Sequence, residues 1–385
     1  MKKFIKITAV ILVAFLSSMQ FTGIVYGVGN SMPLSELEHQ VRLEYLLNTE
    51  MNEIKEEGQY FTLSKMRTVH DFAGNAYTVA EFVPTGYAIL NEDTGIFVEY
   101  STTCDSPFLG YEGNLYYAGI GMFYKRNNQM ETVDLHTGKA ISQEDIAVLK
   151  EQCKEQYSKL EQNRYEAVND YLTKKFAVYQ PKAAAASSET YVSSSSRLSN
   201  LYDPGYITRG DNGVCGYIAA AMILYYYRSS GRRNITEAAD YTTKNGKYYI
   251  DKRLTNYLVD KLRVQLGLPF STHANQIKTL LSNYIRIYCN RLGLSQSGIE
   301  HSTWYVPTTG LICSKISANK PVIVFAGSLS KPGGGLTTNH AVVAYGYRYV
   351  NLPNRPNELI VHYGWIGHSK VYISGIWGSI YTLTC

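Results

Sequence analysis

A chain of 385 residues with 45% hydrophobic and 18% charged side chains holds enough apolar material for about two folded domains, which excludes a mainly disordered protein. Its net charge of +5 is spread without basic blocks, so nucleic acid is not an expected partner. The 34 tyrosines suit half-buried strands and wet surfaces without naming a ligand.

The chain opens with MKKFIKITAVILVAFLSSMQ, where Lys2, Lys3 and Lys6 precede an apolar run from Ile7 to Leu16. A basic start followed by a short apolar core is the pattern of a secretory signal, assigned to residues 1–27. The run is shorter than the roughly 20 residues a spanning helix requires. No cysteine follows it directly, so neither a membrane nor a lipid anchor is expected. The expected location is extracellular.

Residues 34–54 carry a helical, amphipathic pattern. From 75 to 125 the sequence alternates apolar with polar and has turn signals at Pro84–Gly86 and Asn91–Gly95, which predicts antiparallel strands. A charged helix is predicted over 142–171, opened by a capping box of Ser142 and Asp145. Residues 31–180 thus read as one α+β domain. PKAAAASSETYVSSSSRLSN, residues 181–200, is Ala- and Ser-rich without a hydrophobic period, and reads as an exposed linker open to proteolysis.

Residues 201–385 read as a second α+β domain. A helix is predicted from Cys215 to Arg228 and another over 276–291, followed by strands at 321–327, 340–350, 358–365 and 370–374. KPGGGLTTNH, ahead of the second strand, reads as a flexible flap delivering Asn339 and His340 or as a mobile hairpin tip. There are no internal repeats.

The chemistry concentrates here. Cys215 opens a helix directly after the Asp211–Asn212–Gly213 turn, where free backbone amides and the helix dipole favour a thiolate. His340, placed at the start of an apolar strand, is the natural base to pair with it. Each has a bland reading, as a buried structural thiol and a satisfied core imidazole. His340, His362 and His368 lack the helical HExxH spacing and the carboxylates of a zinc site, so no metal and no other cofactor is expected. His39, His70 and His136 read as surface residues, and His273 and His301 as loop residues. No GxSxG elbow is present to suggest a serine hydrolase. The six cysteines show neither CxxC spacing nor scaffold density, although an oxidising location would permit Cys385 to bridge to Cys313 or Cys289.

NGVCGYIAAAM, then NHAVVAYGY, then ELIVHYGWIG resembles the papain-like cysteine peptidases, closest to the secreted bacterial streptopain, staphopain and C39-type branches. The motifs cover a small part of the last 185 residues, but their order and the gap of about 125 residues from Cys215 to His340 fit that family. The resemblance implies a papain-like domain with a central helix on an antiparallel sheet. Cys215 would be the nucleophile and His340 the base of an endopeptidase acting on proteins or peptides. It also implies that residues 31–180 are a prodomain inhibiting the enzyme in a secreted zymogen, although a permanent binding module fits the same residues.

Two positions depart from the family. Where it places an oxyanion-binding Gln, this chain has Arg209, with Asn212 as a second candidate donor. Where it places the Asn that orients the base, the chain reads His362-Tyr363-Gly364-Trp365, so His362 or Tyr363 is the expected third member, and Trp365 reads equally as a shield or as ordinary strand-end packing. These losses leave open a papain-fold binding or inhibitory protein with weak or no catalysis. A third reading keeps the Cys–His chemistry but directs it to acyl transfer or to other amides.

Overall fold

The computed structural model describes residues 43–44, 47, 51, 60–93, 97–162, 188–205, 214–231, 235–236, 241–269, 274–292, 309–331, 335–349 and 358–374. The chain forms two compact units, Met1–Tyr45 and Leu46–Cys385. The signal segment lies outside the described residues, and of the helix expected over 34–54 only Leu43, Glu44, Leu47 and Met51 are described, all helical. The strands, the remaining helices and the candidate site all belong to the second unit. Among the described residues no helix is long and apolar enough to cross a membrane.

The alternating stretch forms strands as its period requires: β1 (Thr62–His70), β2 (Ala76–Val83), β3 (Tyr87–Asn91) and β4 (Phe97–Ser101). Three short strands come next, β5 (Leu115–Tyr117), β6 (Phe123–Arg126) and β7 (Thr132–Asp134). The charged helix is α1 (Gln143–Gln162), and its capping box is made: the Asp145 amide donates to the Ser142 hydroxyl at 3.0 Å while Asp145 Oδ2 accepts from the Ser142 amide at 3.3 Å. Leu149 and Cys153 on its inner face bury against Ala118, Met122 and Tyr124.

The expected linker is only partly outside the described residues. Residues 189–191 form β8, a single helical turn spans Ser196–Ser199 with Leu198 fully buried, and β9 (Leu201–Asp203) comes after it. Val192 and Leu198 are buried and the β8 backbone finds partners on a later strand, so this part of the Ser-rich stretch is folded, while Ser188, Ser193, Ser194, Ser196 and Asn200 are exposed as expected. Next come α2 (Cys215–Ser229), the hairpin β10 (Tyr241–Lys244) and β11 (Lys247–Ile250), α3 (Ala274–Leu292) and α4 (Thr309–Ser317). The last strands are β12 (Val322–Lys331), β13 (Gly335–Arg348), β14 (Glu358–His362) and β15 (Val371–Ser374). Helix α2 is apolar all round and is buried from Gly216 to Tyr227, as a helix without a polar face must be.

Both halves contribute to one sheet of 12 strands in the order β12-β13-β14-β15-β4-β3-β2-β1-β5-β6-β7, with β8 on β13. Helices beside this mixed sheet give an α+β protein. The halves join where β15 pairs antiparallel with β4, Tyr372 opposite Tyr100 and Ile373 opposite Glu99. Tyr100 crosses this junction. Its ring stacks on Tyr372 at 4.7 Å, its hydroxyl binds the Glu358 carboxylate, and Arg348 Nη1 donates to that hydroxyl at 3.0 Å. Arg348 and Glu358 are themselves paired at 3.3 Å and buried. Tyr100→Phe removes one partner from each of two buried charges, and should lower stability by about 1–3 kcal/mol, read as a reduced melting temperature.

Candidate active site

Cys215 is the first residue of α2, and Val214 before it supplies no side-chain cap. The backbone amides of Cys215 and Gly216 are therefore left to the Cys215 sulfur, joined by the amide of Ala341 from β13. Because Ala341 is the residue after His340 in the chain, that contact brings the sulfur to the strand carrying His340. The three amides favour thiolate, as the sequence predicts, yet the net effect is the reverse. Desolvation is larger and pushes the thiol above its usual range. Cys215 as a residue is only half-buried, so it is the crowding at the sulfur that decides this.

His340 sits within β13 opposite Ala326 of β12, 5% exposed. The strand starts at Gly335 and pairs with β12, so Asn339 and His340 lie on a hairpin strand, the hairpin of the second reading, rather than on a flap. Nε2 of His340 lies 3.1 Å from the carbonyl oxygen of Tyr363. A carbonyl only accepts, so Nε2 bears the proton and Nδ1 keeps its lone pair. Burial, with His136 nearby as a lesser cause, lowers the His340 pKa to about 3, against the raising effect of the Tyr363 carbonyl. In this state the pair is a neutral thiol and a neutral imidazole.

The N-terminal half supplies that burial. The turn Gly119-Ile120-Gly121 between β5 and β6 is closed by Met122 N–H donating to Gly119 O at 2.9 Å. Gly121, at φ +70°, lies flat on the His340 ring; a Cβ there would stand 2.4 Å from Cδ2. The Gly121 amide donates to the Glu99 carboxylate, which also accepts from Tyr87 at 2.8 Å and from Tyr117 at 3.1 Å. Full burial raises the Glu99 pKa to about 7 despite these bonds.

Trp365 stands against His340 with ring centroids 5.1 Å apart and is 7% exposed. Residues of the N-terminal half close over it: Phe123 lies edge-on at 5.8 Å and His136 stacks at 4.3 Å. His136 is a surface residue as expected, but with one face committed to Trp365, a contact that only the fold reveals.

Neither third-member candidate gives His340 a side-chain hydrogen bond. His362 is fully buried, its Nε2 donating to Leu201 O of β9 at 2.7 Å and its Nδ1 accepting from the Gly364 amide at 2.8 Å. Both nitrogens are spent, which removes direct contact with His340 through either of them. The Tyr363 ring stands edge-on to the His340 ring, with centroids 5.6 Å apart, but the polar contact to His340 comes from the Tyr363 main-chain carbonyl rather than from its hydroxyl. Sequence reasoning missed this because any residue supplies a carbonyl. Arg209 and Asn212 lie outside the described residues. Of the candidate disulfide partners, the side chains of Cys289 and Cys385 lie there too, while Cys104, Cys153 and Cys215 carry free thiols. Among the described residues no three His, Cys, Asp or Glu side chains are grouped to hold a metal ion. No known protein family and no curated protein matches this chain.

Proposed function

We propose that the chain is the precursor of a secreted papain-like cysteine endopeptidase, with the N-terminal half holding the site shut. The observation that carries this reading is the meeting of the Cys215 sulfur with the strand of a histidine already oriented through Nε2. With Nδ1 free to accept the thiol proton, Cys215 attacks a peptide carbonyl. His340 then protonates the departing amine, and water completes hydrolysis of the acyl-enzyme. The amides at Cys215 and Gly216, at the uncapped start of α2, are placed to receive the oxyanion. Arg209 and Asn212 remain the proposed side-chain donors, Trp365 the shield, and proteins or peptides the substrates.

The covered site supports the zymogen part of the proposal. Gly121 packed on the His340 ring and His136 stacked on Trp365 cover the histidine side of the site, where His340 is held neutral. Those same contacts favour the second reading, a papain-fold binding protein whose site never opens.

Iodoacetamide labelling of Cys215 separates the two. The intact chain should label slowly at about pH 5–6, because a protonated thiol is unreactive. Limited proteolysis in the Ala/Ser-rich stretch 181–187, then release of the N-terminal fragment, should accelerate labelling at that pH. His340→Ala should abolish the acceleration. Slow labelling at pH 5–6 in the released, still folded fragment would discard the peptidase in favour of the binding protein. Fast labelling with no cleaved peptide product would redirect the chemistry to acyl transfer or other amides.

A further inference from the structure

His362 is a fully buried histidine that takes no part in the proposed proton transfers. It nevertheless precedes the carbonyl that holds His340, and its two bonds tie that segment to two other elements. Nε2 anchors it to Leu201 O, and Nδ1 takes the Gly364 amide, two residues on. The Tyr363–Gly364 peptide therefore hangs from the ring of His362, which fixes where the Tyr363 carbonyl points. Gly364, at φ +78°, rests on Ile218 of α2, where a Cβ would come within 3.1 Å. Ile218 lies on the same helix as Cys215. One short turn thus connects the helix of the nucleophile, the strand of the base and β9.

We propose that His362 is a positioning residue, which orients His340 indirectly by holding the Tyr363 carbonyl against Nε2. A main-chain carbonyl and the imidazole behind it then do together what a single side-chain amide does in the family this chain resembles. The inference rests on the peptidase reading for its catalytic meaning, but its geometric content is measurable without any activity. A peptide group free to rotate would leave His340 able to change tautomer, placing a proton on Nδ1 where the thiol proton must go.

The test uses the full chain labelled with ¹⁵N-histidine, and reads the ring tautomer of His340 at neutral pH, assigned by the resonances lost in His340→Ala. In the wild type His340 should be the Nε2–H form. His362→Leu, which lacks both polar atoms, should shift it toward a mixture of tautomers. His362→Asn should restore the Nε2–H form, because its side-chain oxygen stands where Nδ1 accepts the Gly364 amide. If the leucine variant does not fold, His362→Gln serves instead. It keeps the reach toward Leu201 but carries its oxygen past Gly364, and should resemble leucine's expected result.

An unchanged Nε2–H form in the leucine or glutamine variant overturns the proposal, and so does an asparagine variant that fails to restore it. On the processed enzyme, loss of the positioning should appear as a fall of about 10–100-fold in kcat with KM little changed, since small misplacements cost that much. A normal tautomer shift in a protein that hydrolyses no peptide would instead uphold the positioning and reject the peptidase reading.

Discussion

Gly121→Ala is expected to make Cys215 of the intact chain react with iodoacetamide about tenfold faster or more, and to lower the melting temperature at the same time. The new Cβ would stand 2.4 Å from Cδ2 of His340, a separation no real contact allows, so the turn or the ring must move. His340 belongs to a long strand paired with β12 at this position and with β14 from Val343 on, whereas the turn is held by its own Met122–Gly119 bond, by the Gly121–Glu99 bond and by Gly119 against Gln156. The turn is the part that yields. Overpacking of this kind costs about 1–3 kcal/mol, and about 1.4 kcal/mol spent against the closed state raises the open population about tenfold. Gly110→Ala is the control, since Gly110 has the same backbone handedness at φ +79° with nothing within 4 Å of its would-be Cβ. It should lose a similar backbone increment without exposing the thiol. Equal labelling rates in the two variants would show that Gly121 is not what shields the site.

Thermal stability should rise from about pH 4 to about pH 7 and change little above that. His340 and His362 have folded pKa values of about 3 and about 4, below the 6.5 of an exposed imidazole. The unfolded chain therefore binds more protons, and their contribution is complete above pH 6.5 and lost on acidification toward those values. Glu99 works in the opposite sense. Its folded pKa of about 7 exceeds the 4.5 of an exposed carboxyl, so the folded chain binds the extra proton and stability declines as pH rises from 4.5 to 7. Between 4.5 and 6.5 two histidines outweigh one carboxyl, and the net slope favours neutral pH. At about 1.4 kcal/mol per pKa unit, the acid limb amounts to several kcal/mol. Melting curves from about pH 4 to 8 should show this rise and plateau, and Glu99→Gln should steepen the rise between about pH 4.5 and 6.5, because it removes the opposing carboxyl. A melting temperature that rises steadily down to about pH 4 would mean that the two imidazoles are not buried as described.

Much of the sheet was legible in the sequence because its strands alternate strongly or run continuously apolar. The expected 340–350 and 358–365 fall on β13 and β14 once their bounds shift by several residues. Helix α2 was readable from its composition. Cys215 and His340 stood out in the sequence as candidates by residue type and order, and the structure brings the sulfur of the first to the strand of the second. The relations between distant segments were not legible. No local period tells β4 to pair with β15, nor Gly121 to lie on His340. The orienting group was invisible for a different reason, being a main-chain carbonyl with no residue identity. The direction of the thiol's shift was hidden because the helix-terminal amides are a local effect, whereas the desolvation that overrides them depends on everything packed around it.

The pairing of β4 with β15 bears on the order in which the molecule assembles. Contacts across it, such as the Ser101 hydroxyl to Lys370 O, join residues 269 apart in sequence. Contacts of such separation form late and slowly, because a long loop must close before any bond rewards it. Until β15 has been synthesised, β4 carries an open row of amides and carbonyls, a template for pairing with a neighbouring chain. After departure of residues before 181, β15 would inherit the same open border. The strand that seals the two halves is thus also the place where each half, alone, would be prone to aggregate. Dilute refolding of the whole chain should succeed where refolding of the C-terminal half fails.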